Sequence, residues 1–357
     1  MPRSRLSLVL LVLPLAVACG QRDVPISAEP ARAPVVETRT TAAPPDRQGA
    51  PPSADQGLPQ ATNGVLPPGA ADKIMAPNAA PIVKLLDGGA APRSELSYAL
   101  SKGPSPRLSM AMDMTIGAKA AGQSQPATTF PRMTMVFDIK GTDKNPAGEV
   151  SIDSRLTSLS VDPNGGQQEQ LARALRPQIE GLKGLGMLYW VNPKGRVRDV
   201  KIDMPPGVPP GAQQLLGGMS QSIESMVTPL PNEAVGVGAR WQVTSRTLSG
   251  GADLLQAAVY TLRSRTASKA VLDITLVQLA ASDTIHSPQM PAGMAVKVKS
   301  FSSGGSGSTQ LDLKSISPEG GSMTLKNSMT IAVQGGGPDT AGDSTVDNVT
   351  SVTMGRP

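Results

Sequence analysis

Residues 108–116 read Leu108-Ser109-Met110-Ala111-Met112-Asp113-Met114-Thr115-Ile116. Each even position is large and apolar, and each odd one is small or polar. A repeat of two puts alternate side chains on opposite faces of an extended chain, so this stretch is a strand with one buried and one wet face. Such half-wet strands belong to antiparallel sheets, because parallel strands covered on both sides read as unbroken apolar runs. Met133, Met135, Phe137 and Ile139 repeat the pattern after a connection bearing Gly, Ser and Pro. Val150 and Ile152 open a third run, whose phase slips by Leu159 and Val161 as at a β-bulge.

The same period continues along the chain. Met187 to Ile202 reads as a hairpin turning at Asn192-Pro193-Lys194-Gly195. Further strands are predicted at 239–245, 255–262, 271–279, 295–301, 310–316, 323–333 and 345–354. Two segments have helical spacing instead. Gln167 to Lys183 aligns Leu171, Leu175, Ile179 and Leu182, with Pro177 as a kink or early stop. Ala212 to Val227 aligns Leu215, Leu216, Met219, Ile223 and Met226. The expected fold is therefore α+β and mainly β. It is one large curved antiparallel sheet, an open barrel or cradle, with two amphipathic helices packed on its concave face. This globular domain is expected over residues 94–357.

The start of the chain has a different grammar. Arg3 and Arg5 precede the apolar run Leu6 to Val17, which is too short to span a bilayer. Residues 1–18 read as a signal peptide. Its end, Leu15-Ala16-Val17-Ala18-Cys19, resembles a bacterial lipobox, although Ala16 stands where leucine is commoner. The resemblance implies cleavage before Cys19, a lipid on its thiol and a membrane as partner. The other reading is an ordinary Ala-x-Ala site with a free thiol, but the chain's one cysteine falls where the lipid requires it. Gly20 follows, where an aspartate would resemble an inner-membrane retention signal. The expected location is the outer membrane, facing the periplasm or the cell surface.

Residues 19–93 are expected to be a tether. From Gly20 to about Ile82 there is no aromatic residue, and 12 of the 34 prolines lie there. Small polar residues and proline bury too little apolar surface to offset ordering entropy, and proline favours extended polyproline II.

Composition removes most chemistries. One Cys and one His exclude a disulfide framework and paired-histidine zinc motifs. His286 lies in a polar stretch beside Asp283 and Ser287, with no Gly-x-Ser-x-Gly elbow anywhere. Asp162-Pro163-Asn164-Gly165 lacks the rest of a calcium loop and reads as a tight turn. A formal net charge of +5 without clustered basic and aromatic residues excludes a nucleic-acid footprint. The densest basic run, Lys194, Arg196, Arg198 and Lys201, reads as a solvated face or a site for acidic headgroups. No cofactor and no enzymatic activity are expected.

Methionine is the unusual signal: 16 residues, against two Trp, three Tyr and three Phe. Thioethers bind Cu(I), but residues i and i+2 of a strand lie about 6.5–7 Å apart, too far for one metal's ligand shell. Two readings stay open. Methionine fills a core short of aromatics, or Met110, Met112, Met114, Met133 and Met135, with Met219, Ile223 and Met226, line an adaptable groove for a hydrophobic ligand. Trp241 reads as a core or rim anchor.

The strand at Ser109–Met114, the second at Met133-Thr134-Met135, and Val237-Gly238-Ala239-Arg240-Trp241 after Pro229 to Pro231 together resemble a family of bacterial secreted and lipid-anchored proteins of unknown function. In that family aspartate is commoner where Ala239 stands. The resemblance spans about residues 94–354 and implies no catalytic residues. More loosely, the expected sheet resembles the cradle of periplasmic lipid and lipoprotein carriers, which concerns architecture and not function. The expected function is a non-enzymatic envelope lipoprotein binding a hydrophobic ligand, or alternatively an envelope scaffold with a solid core and a protein partner.

Cys19→Ser is expected to move the protein from the membrane to the soluble fraction and to abolish labelling by a fatty-acid probe. Membrane retention of the labelled variant would overturn the anchor.

Overall fold

The computed structural model describes residues 58–120, 123–163, 165–207, 227–249, 251–285, 295–334 and 342–357. Its first elements are α1 (Ala70–Ile74), β1 (Ile82–Asp87), β2 (Gly103–Ala120), β3 (Gln123–Thr129), β4 (Arg132–Lys144) and β5 (Val150–Asp162). Next come α2 (Gln167–Glu180), β6 (Gly186–Val191), β7 (Val197–Asp203), β8 (Arg240–Ser249) and β9 (Ala252–Arg265). The last are β10 (Lys269–Ala280), β11 (Thr284–Ile285), β12 (Ala295–Asp312), β13 (Gly320–Gln334) and β14 (Asp343–Gly355). All strands join one antiparallel sheet in the order β1-β8-β9-β10-β12-β13-β14-β2-β4-β5-β6-β7, with β3 beside β2 and β11 beside β12. The sheet does not close, and β1 and β7 are its ends.

It does curl. β10 and β5 stand six strand spacings apart, roughly 29 Å on a flat sheet at ~4.8 Å each. Yet Leu272 of β10 and Ile152 of β5 share one buried cluster with Trp241, Leu262, Phe137 and Tyr189. Only bending around one face, called here the inner face, brings them together.

Two irregular segments, 94–102 and 227–239, fill the space between the ends. Leu96, Leu230 and Val235 are wholly buried there. Their backbones bond to both sides: Tyr98 N donates to Pro193 O (2.7 Å), Ala99 N to Leu313 O (2.6 Å) and Leu230 N to Lys194 O (2.8 Å). Trp241, stacked on Tyr260 with ring centroids 5.6 Å apart, donates its indole N–H to Pro229 O at 2.9 Å. This contact joins the two halves of the Pro229…Trp241 element. Gly195 is required at the β6–β7 turn. Its φ is +75°, and a Cβ would lie 2.4 Å from Thr228 O.

Two sequence expectations change. Residues 58–93 do not stay out of the fold: β1 pairs with β8, and Leu66, Ala71 and Met75 are buried with Leu255 and Ala281 on the outer face. Composition argues for a tether, but the burial comes from a sheet surface far away in sequence. Arg246 holds α1 in place, donating to Asp253 (2.9 Å) and to Met75 O (2.9 Å) and pairing with Asp72. Residues 295–301 and 310–316 are not two strands. The Ser/Gly run between them, turn-like by composition, is held straight by β10 on one side and β13 on the other. Helix α2 begins as expected and contains Pro177. It packs on the inner face, burying Ala172 and Ile179 against Met133 and Val161. The second expected helix, 212–227, lies outside the described residues save for Val227, which the structure places in no helix.

Residues 62–66 wedge in where β10 and β12 part: Phe301 N donates to Asn63 O (2.8 Å) and Ala280 N to Gly64 O (3.0 Å). Gly64 has φ +75°, and a Cβ on it would stand 1.6 Å from Phe301 O. Gly64→Ala is expected to cost about 1–3 kcal/mol and lower the melting temperature, with amide exchange rising first over residues 58–75. Unchanged exchange there would mean that the wedge does not hold this segment.

Candidate functional site

Antiparallel register decides which side chains share the inner face, because directly opposed residues point the same way. Met110 faces Met135 across β2–β4 and Met354 across β2–β14; Met112 likewise faces Met133 and Val352. All five methionines of the two strands therefore lie on one face, but in three surroundings. Met112 and Met133 pack beneath α2, while Met110 and Met135 pack on the main core. Met114, half-buried opposite Thr350, joins neither cluster. Cys19, Met219, Ile223, Met226 and His286 lie outside the described residues.

Beside Met114 the inner face is only half-buried, Met323, Leu325 and Thr350 included, and this stretch is called the trench. Met323 and Leu325 of β13 lean over Gly307 and Gly305 of β12, where no side chain rises to fill the row. A Cβ on Gly305 would meet Leu325 Cδ1 and Met323 Cε, each at 3.1 Å.

One row of this apolar face is polar. Register aligns Ser245, Gln256, Gln278, Ser303, Asn327 and Asn348 on the successive strands β8, β9, β10, β12, β13 and β14. Gln278 Nε2 donates to Gln256 Oε1 at 2.8 Å, and Ser303 Oγ donates to Gln278 Oε1 at 2.6 Å. Ser303 Oγ also touches the Asn327 side-chain amide. One hydroxyl has one proton, so that contact is satisfied when Asn327 turns its NH2 toward Ser303. The result is a directional chain Asn327→Ser303→Gln278→Gln256. Thr350 Oγ1 donates to Asn348 Oδ1 at 3.1 Å. Gln278 and Ser303 are 8% and 7% exposed.

The sequence contained part of this signal. Leu272, Ile274, Leu276, Gln278 and Ala280 share one parity, and Gln278 is the polar residue among them. That six strands align their polar residues needs the register, which no single strand reveals.

Charges take the other face. Asp113, Asp273, Lys326 and Asp347 occupy outer rows by register, where Arg132 pairs with Asp113 (2.6 Å) and Arg263 with Asp273. The two hydrogen bonds from the Arg132 guanidinium hold the Asp113 carboxyl below its ordinary range. Two members of the basic run are engaged structurally: Lys194 donates to Leu96 O (3.1 Å), and Arg198 pairs with Glu149 (2.6 Å) while lying over the Trp190 ring, whereas the buried Arg196 Nε has no hydrogen-bond partner among the described residues. A depression of about 280 Å³ on the outer side is lined by Thr115, Gly117, Lys119 and Asp347. Among the described residues no group of His, Cys, Asp and Glu is placed to hold a metal ion, and no helix is long and apolar enough to cross a membrane. Compared with known proteins, the chain matches no family model and no curated protein sequence.

Burial pushes the hydroxyls of Tyr189 and Tyr260 up to about 12 and raises that of Tyr98 as well. An unfolded chain releases tyrosine protons near pH 10, so the folded chain holds them to higher pH. The stability linked to these groups is complete below about pH 10 and is lost as pH climbs toward 12. Phenolate absorbance is expected to rise together with loss of the sheet's circular dichroism. Titration near pH 10 with the sheet intact would contradict burial.

Proposed function

We propose that this chain is a non-enzymatic lipoprotein of the cell envelope that holds a hydrophobic ligand on the inner face of its sheet. In this reading Cys19 carries the lipid, a Pro/Ala-rich segment reaches from the outer membrane, and the domain binds at the trench beside Met114. The observation that carries it is the inner surface itself: uncharged across the central strands, half-buried and floored by Met114, Met323 and Leu325. Methionine adapts to apolar guests of varied shape. A water-exposed face of this kind is stabilised when an apolar molecule covers it. Catalysis has no place in the reading, because the sequence offers one histidine, one cysteine and no nucleophile motif.

A scaffold role is the second reading, favoured by the outermost strand β1, whose Ile82 and Leu86 are 47% and 42% exposed. An open edge with exposed apolar residues is a template for a partner's strand.

The full chain carrying Cys19→Ser, secreted and purified without detergent, separates the readings under native mass spectrometry. The carrier predicts a stoichiometric non-covalent lipid, lost in Met114→Asp while the fold's circular dichroism is kept. A ligand-free protein that also fails to bind a fluorescent fatty-acid probe would overturn it. Co-purification of a protein released by Leu86→Lys would then speak for the scaffold.

A further inference from the structure

We propose that the polar row Gln256–Gln278–Ser303–Asn327–Asn348 reads an uncharged amide or ester group on the ligand, so that the guest is a neutral long-chain acyl compound. This rests on the trench reading above and specifies what the trench selects.

The row crosses five adjacent strands, roughly 19 Å at ~4.8 Å per spacing, in the middle of a largely apolar face that also carries Gly305, Gly307, Thr309 and Thr350. Burying amides in such a face costs free energy that apolar residues of the same shape would not. Their bonds to one another limit that cost without exhausting their capacity. A carboxamide has two N–H donors and two acceptor lone pairs. Gln278 spends one donor on Gln256 and one lone pair on Ser303, and keeps the second of each. Asn327 and Asn348, half-buried at the β13–β14 side, have amide capacity beyond their contacts with Ser303 and Thr350.

The glycines make the row reachable. Gly305, the next inner-face residue after Ser303 on β12, raises no side chain, so a guest lying along the trench comes within reach of Ser303 and Asn327 by displacing the tips of Leu325 and Met323. Charge decides the class of head group. No lysine or arginine stands in the inner rows of β9 to β14 beside the polar row to pair with a phosphate or carboxylate, and no acid stands there to pair with an ammonium. An ionised group would enter unpaired, at a large desolvation penalty. An amide or ester matches the row: its carbonyl accepts from an Asn or Gln N–H, and an amide N–H also donates to a side-chain carbonyl. On the Gly305 side, Met323 and Leu325 receive the chain, while on the other side Phe301 is already packed in a buried cluster.

The test is a competition series on the full-chain Cys19→Ser protein, displacing a fluorescent apolar probe with hexadecane, methyl hexadecanoate, hexadecanamide, hexadecanoate and hexadecyltrimethylammonium. The amide is expected to compete best, about tenfold better than the alkane, as one net hydrogen bond would give, with both ions weakest. In Asn348→Ala and in Ser303→Ala the amide is expected to fall to the level of the alkane while the alkane itself is unchanged. Asn348 lies at the open end of the row, so its variant stays informative if the buried Ser303 substitution unfolds the sheet. Failure of every compound to displace or bind overturns the trench itself. Binding of all five without preference, preference for an ion, or an amide preference that survives Asn348→Ala in a folded protein overturns the polar row as reader and leaves the trench standing.

Discussion

The fold depends on a sheet bent until its two ends share one core. A sheet of this breadth that stayed open and flat would leave Trp241, Leu272, Ile152 and Tyr189 each facing water. Bending lets one cluster bury them all. The bend is held by the segments at 94–102 and 227–239, whose backbone groups bond to both ends at once. The indole of Trp241 is central: burial of a side chain of 150–250 Å² contributes on the order of 4–6 kcal/mol as an upper bound, and its N–H fixes where Pro229 runs. The crossing segments close one end, Leu254, Val298, Phe301 and Ile331 form a second buried cluster toward the other, and between the two the face around Met114, Met323 and Leu325 stays a half-buried trench.

Within that trench, polarity is distributed by strand parity. Outer rows carry the ions, as in Arg132–Asp113, and inner rows are mainly apolar, crossed by one row of amides and a hydroxyl, with Thr309 and Thr350 elsewhere on the same face. A buried hydrogen-bonded row does more than tolerate its setting. The Gly/Ser stretch of β12 has few side chains to resist slipping against its neighbours, and a one-residue slip would turn Ser303 away from Gln278 and Asn327. The row therefore anchors register in the strand least able to define it by packing.

Several features were legible in the residues alone. The alternation at Leu108–Ile116 and Met133–Ile139 identified the antiparallel sheet and put its methionines on one face, and the Asn192–Gly195 turn and the start of α2 followed from turn and helix chemistry. Composition misled at two points for one reason. The Pro/Ala-rich stretch from residue 58 and the Ser/Gly run in β12 both look unable to hold structure, and both are ordered by surfaces distant in sequence, Leu255 and Ala281 for the first and the flanking strands β10 and β13 for the second. Local pattern contains no information about such partners.

By itself the sequence determined periodicity, and with it strand type, the inward parity of the alternating strands such as 108–116 and 133–139, and the exclusion of histidine- or cysteine-based metal sites, because these are properties of neighbouring residues. Tertiary structure decided which strands lie side by side, that β10 and β5 meet across one core, and that Gln256, Gln278, Ser303, Asn327 and Asn348 fall into a single row. Those are matters of register between segments far apart in the chain. Register is set by the packing of the whole sheet, and no strand carries it alone.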